Sequence, residues 1–103
     1  NLYRQRHQAA VRLASELIPH QRIWGEGGLH IFVELAEGIN ARQVLAECYR
    51  RGVLFMPGDL FYTDGGGKNT FRLGIARVTE EQMARGFALI GQVISEFEEV
   101  KDA

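Results

Sequence analysis

The sequence predicts an α+β fold, with a small mixed sheet covered on one face by three amphipathic helices. Three observations predict it. Apolar residues recur at helical spacing in three stretches, they alternate with polar ones in two others, and glycine-rich breaks separate helix from strand. A chain of 103 residues with 46% hydrophobic content suffices for one core and is too short for two, so residues 1–103 are read as a single domain.

The first helix runs from Leu2 to Ile18, with Tyr3, Ala10, Leu13, Ala14, Leu17 and Ile18 on one stripe and Arg4, Gln8, Arg12 and Ser15 opposite. Pro19 stops it. Only Asn1 stands in capping position, which predicts that this helix continues a longer one. Two extended runs follow, Gln21 to Trp24 and Leu29 to Leu35, around the break Gly25-Glu26-Gly27-Gly28. Leu29, Ile31, Val33 and Leu35 share one face of the second run, and His30, Phe32 and Glu34 share the other, which can meet solvent or another domain.

Asn40 with Gln43 has capping-box spacing, and Ala41, Val44, Leu45 and Cys48 form the stripe of a short helix ending at Gly52. Val53 to Met56 reads as a brief buried strand broken by Pro57-Gly58, with Leu60 to Tyr62 extended beyond it. The loop Asp64 to Asn69 leads into a strand from Thr70 to Ala76. Thr79 with Gln82 repeats the capping signal, and Met83, Phe87, Ile90, Ile94 and Phe97 mark one side of a final helix whose polar tail is expected to fray.

Composition narrows the function classes. Twelve basic and thirteen acidic residues give a net charge of -1, so no general attraction draws this domain to nucleic acid or to an acidic membrane, and no direct contact with either is expected. No run approaches a bilayer-spanning length. Cys48, the only cysteine, cannot close an internal disulfide, which fits a cytoplasmic setting. The histidines His7, His20 and His30 share no ligand spacing, so no metal site is predicted.

Lys68, after three glycines, invites comparison with a phosphate-binding loop. That reading fails, because Tyr62 stands where the first glycine belongs, Asn69 replaces the hydroxyl residue, and a strand follows where a helix should begin. No serine or cysteine sits in a nucleophile motif, so no catalytic residue is assigned. Arg72 is different. Alternation puts Phe71, Leu73 and Ile75 into the core and Arg72 on the opposite face among small residues, where a planar fork of donors on a rigid strand can grip a carboxylate.

Three segments together resemble the carboxy-terminal small domain of class I/II aminotransferases of fold type I: Gly27 to Leu35, Gly52 to Phe61, and Asn69 to Ala76, followed by Thr79-Glu80-Glu81-Gln82 and Gly86. The resemblance implies that Arg72 binds the α-carboxylate of an amino-acid substrate or effector. Asn69, beside it, either touches substrate or shapes the turn, and the turn is favoured. Pro57-Gly58 and Phe61 take structural parts in the segment leading toward the active site. It further implies a preceding large domain that carries pyridoxal phosphate, in a parent that forms a homodimer. Transamination needs a lysine for that cofactor, and neither Lys68 nor Lys101 has the family's lysine context, so the domain alone should bind no cofactor and be inactive.

Two kinds of parent carry such a domain. One is a free-standing aminotransferase. The other is a transcriptional regulator of the GntR family, MocR type, whose aminotransferase-like body senses an effector, and Gly27-Gly28-Leu29-His30 favours it slightly. A stand-alone small-ligand-binding regulatory module is the alternative from another class.

Overall fold

In the computed structural model, residues 2–25, 30–53, 56–57, 66–76 and 78–102 are described. The element order is helix α1 (Leu2–Leu17), strands β1 (Arg22–Trp24) and β2 (His30–Glu34), helix α2 (Ala41–Arg50), strands β3 (Met56–Pro57) and β4 (Thr70–Gly74), and helix α3 (Glu80–Asp102). The four strands pair in the order β1-β2-β4-β3.

Each helix starts or stops where local chemistry dictates. At α2 the Asn40 side-chain oxygen accepts from the Arg42 amide at 2.8 Å, and Gly52 just past the carboxy end takes a φ of +97°, a conformation glycine adopts without a Cβ penalty. At α3 the capping box is complete. The Gln82 amide donates to Thr79 Oγ1 at 3.1 Å, and the Gln82 side-chain oxygen accepts from the Thr79 amide at 2.9 Å. The tail expected to fray is helical as far as Asp102.

Every pairing among the described residues is antiparallel, in contrast to the mixed sheet expected from the sequence. The reason lies in strand order. β2 and β3 run the same way across α2, as in a β-α-β unit, but β4 occupies the slot between them and pairs antiparallel with both. Of the short strand expected over Val53 to Met56, residues 54–55 lie outside the described residues, and Met56 falls in β3, which runs on to Pro57. As β3 is an edge strand, a proline is tolerated there, its missing N–H costing no ladder bond on the open side. Residues 54–55 and 58–65, including the extension expected over Leu60 to Tyr62, lie outside the described residues, as do 26–29.

The core forms where the sequence places it. Ile31, Val33 and Leu35 from β2 and its exit, and Phe71, Leu73 and Ile75 from β4 and its exit, are buried against Ala10, Ala14 and Ile18 of the α1 side, Val44 and Cys48 of α2, and Met83, Phe87, Ile90 and Ile94 of α3. Burying a side chain of this size contributes roughly 1.5–3 kcal/mol. Helices α1 and α3 approach so closely that a Cβ built on Gly91 would stand 2.0 Å from the Leu17 carbonyl oxygen. Only glycine permits that approach.

Candidate functional site

The face of the sheet away from this core carries the candidate site. β4 is hydrogen-bonded on both sides, so Arg72 rises from an interior strand whose backbone is fixed by β2 and β3. Its neighbours two positions away along the strand are Thr70 and Gly74. Thr70 is buried, its hydroxyl donating to the Gly67 carbonyl at 2.7 Å, and Gly74 has no side chain. Arg72 is therefore uncrowded along its own strand, as alternation predicts, and is half-buried.

Across the strands its surroundings are aromatic. Arg72 is the register partner of Phe32, which is in turn the partner of Trp24. The Trp24 and Phe32 rings stack with centroids 5.3 Å apart and planes 12° from parallel. Beyond them the Arg22 guanidinium lies 4.2 Å from the Trp24 ring centre, in cation–π geometry, and its Nη2 is 3.8 Å from Glu34 Oε2. Sequence reasoning missed this row. Alternation assigned Phe32 to the outer face, but only strand register brings Trp24 and Arg72 to either side of it.

The other singled-out residues take structural places. Asn69 Nδ2 donates to the Leu35 carbonyl at 2.8 Å, while the Leu35 amide donates to the Asn69 carbonyl at the same distance. This pair clasps the turn before β4 to the exit of β2. The turn reading of Asn69 is the one its hydrogen bonds support. Lys68 is exposed on the same turn, with its carbonyl accepting from the Ala41 amide at 2.8 Å. His7 Nε2 donates to the Gly25 carbonyl and His20 Nδ1 to that of Ile18, each at 2.6 Å, and His30 is exposed beside Gly74. Among the described residues no three His, Cys, Asp or Glu side chains gather as a metal set. Burial pushes the Cys48 thiol up to about 11, so it behaves as a small core hydrophobe.

The open clefts of about 400 and 500 Å³ lie at the Asn69 end of the sheet and do not include Arg72. Glu37 lines both clefts and Lys68 only the smaller, whereas Arg72 stands on an interior strand, and the fixed strand favours Arg72 as the centre of the site. Among the described residues, those around Arg72 do not by themselves make up a pyridoxal phosphate site. Lys68 is held on an exposed turn at the end of the sheet, and the second described cation of the row, Arg22, is engaged with the Trp24 ring and Glu34.

The fold resembles a domain of the aminotransferases. The homologues and structural neighbours of this chain are class I/II pyridoxal-phosphate-dependent aminotransferases of fold type I, and it matches their carboxy-terminal small domain. The chain is 31% identical over 96 residues to aromatic-amino-acid aminotransferase 1 of Thermococcus litoralis, a match covering 91% of this chain and 23% of that protein. It superposes on a multiple substrate aminotransferase from Thermococcus profundus with a TM-score of 0.82 and 29% identity, over 94% of this chain and 25% of the other. The α-aminoadipate aminotransferase of Thermus thermophilus, solved in complex with N-(5'-phosphopyridoxyl)-L-leucine, gives a TM-score of 0.83 at 28% identity, over 95% and 26% respectively. No family model matches the chain. The chain thus spans about a quarter of the length of the relatives it matches. Among the described residues no helix is long and apolar enough to cross a membrane.

Proposed function

We propose that this domain supplies the carboxylate-binding arginine of a larger pyridoxal-phosphate-dependent aminotransferase-like protein. The observation that carries the reading is the setting of Arg72, an arginine on the open face of an interior strand with a glycine and a buried threonine as its strand neighbours. A guanidinium so held can meet a carboxylate with two parallel hydrogen bonds. The cofactor and its lysine belong to a preceding large domain of the same chain. In the bound state the amino acid bridges that domain and Arg72, so the small domain closes over the substrate and excludes water. On this reading residues 1–103 are one carboxy-terminal domain, in a parent we take to be a cytoplasmic homodimer.

A free-standing aminotransferase and a GntR-type regulator would both keep this arginine, one to turn an amino acid over and the other to sense it. Most of the stretch that favours the regulator, Gly27 to Leu29, lies outside the described residues. The test is made on the full-length protein loaded with pyridoxal phosphate, following the cofactor absorbance band as amino acids are added. Arg72→Ala should weaken amino-acid binding about a hundredfold, the equivalent of about 2.7 kcal/mol for losing a charge-assisted bidentate contact. Cofactor loading should be unchanged. Unaltered amino-acid affinity would sink the assignment of Arg72, and a protein that gives no cofactor band would point to the stand-alone ligand-binding module.

A further inference from the structure

We infer that Phe32, backed by Trp24, is a positioning residue for Arg72; the inference rests on the carboxylate-binding reading above and extends it to residues that touch no substrate. The argument begins with what an arginine on a sheet needs. Its side chain carries about 2 kcal/mol of rotamer entropy, and a bidentate contact requires the guanidinium plane to be oriented in advance. Along its own strand Arg72 has no side-chain wall, because Gly74 has no side chain and the Thr70 hydroxyl is turned in to the Gly67 carbonyl.

Across the sheet a side-chain wall is available. On the β2 side that position is Phe32, directly opposite Arg72 in the register. Cross-strand partners on one face bring their Cβ atoms to about 5 Å, so a ring at this position limits how far the arginine stem can swing toward β1. Phe32 is itself held. Its ring is stacked on Trp24 at 5.3 Å, and the Arg22 guanidinium lies 4.2 Å from the Trp24 ring centre. Glu34, the register partner of Arg22, lies 3.8 Å from the Arg22 guanidinium. Arg22, Trp24 and Phe32 form a run of planar groups on the β2 side of Arg72, and Phe32 is the member that is its register partner.

Such a brace predicts a specific pattern of loss. The experiment is a titration of the full-length, cofactor-loaded protein with L-leucine and L-phenylalanine, and in parallel with isopentylamine and phenethylamine, which lack the carboxylate. Arg72→Ala serves as the reference, Phe32→Ala, Phe32→Leu and Phe32→Tyr as the probes. Phe32→Ala should weaken binding of the amino acid that the protein prefers by about tenfold, the equivalent of about 1.4 kcal/mol, and leave the matching amine unaffected. Phe32→Leu, which is expected to fold even if the alanine variant does not, should lose about threefold, and Phe32→Tyr should restore binding to within about twofold. If Arg72→Ala weakens amino-acid binding while Phe32→Ala and Phe32→Leu do not, the positioning role is overturned and the carboxylate reading stands. Equal loss for amino acid and amine also overturns it, because damage to the sheet would not distinguish the two. Should Arg72→Ala itself change nothing, the carboxylate reading falls and the inference falls with it.

Discussion

The two faces of the sheet are built from alternate residues of the same strands, yet they answer to different demands. On the covered face, Ile31, Val33, Leu35, Phe71 and Ile75 are at most 2% exposed, and their partners come from all three helices. On the open face, Trp24, Phe32 and Arg72 remain half-buried, while His30 and Gly74 are exposed. A monomeric fold gains nothing from leaving stacked aromatic rings half in water. The covered face specifies the fold, and the open face carries the described side chains that the fold leaves half-buried.

That contrast can be broken by substitution. Phe71→Ala, on the covered face beside Arg72, should cost about 4 kcal/mol in unfolding free energy by removing a fully buried ring from the centre of the core. Denaturant melts would show it as a lower midpoint with an unchanged slope. Arg72→Ala, one position away, should leave that midpoint nearly unmoved, so a large loss there would erase the distinction between the faces. Gly91→Ala probes the helix layer, where the added methyl would have to displace the Leu17 carbonyl. Overpacking against backbone should cost about 3 kcal/mol, also read from the midpoint. A neutral result would mean that α1 and α3 can separate without disturbing the core.

The smallest effect belongs to the rim. Glu47 accepts from both Arg50 and Arg51, and Arg51 reaches on to Glu96 of α3 with Nη2 2.9 Å from Oε2. Hydrogen bonds from Arg50 and then Arg51 hold the Glu47 carboxyl down at about 2, below its usual 4.5. The folded-state value is depressed, so the contribution is fully present above about pH 4.5 and is lost as pH falls toward 2. Solvent screening keeps it small. Denaturant midpoints between pH 5 and pH 2 should fall less steeply in Glu47→Gln than in the unsubstituted protein, and equal slopes would remove Glu47 as a source of acid sensitivity.

Much of this was legible from the residues because local rules fixed it. The Thr79 and Gln82 box marks the start of α3 where the hydrogen bonds place it, and alternation along Thr70 to Gly74 assigns Phe71 and Arg72 to opposite faces. Strand order was not legible. Alternation reports which face a residue takes but not which strand lies beside it, so the insertion of β4 between β2 and β3 and the row from Arg22 to Phe32 emerge only with the register. Glycine roles are hidden for the same reason. Gly86 belongs to the family-like segment, yet a Cβ there would meet nothing within 4 Å, while Gly91, which no motif marks, sits at the helix crossing.

The place of β4 also governs the order in which the molecule can assemble. Ile31 and Leu73 meet at the centre of the sheet although α2 and β3 lie between them in sequence, and β3 has no partner other than β4 among the described strands. Until Thr70 to Gly74 is delivered, the described sheet holds only the β1-β2 hairpin. Closing the long loop between β2 and β4 comes before any gain from pairing β4, which makes that strand the slow step of the sheet and leaves α3 to seal the core after it.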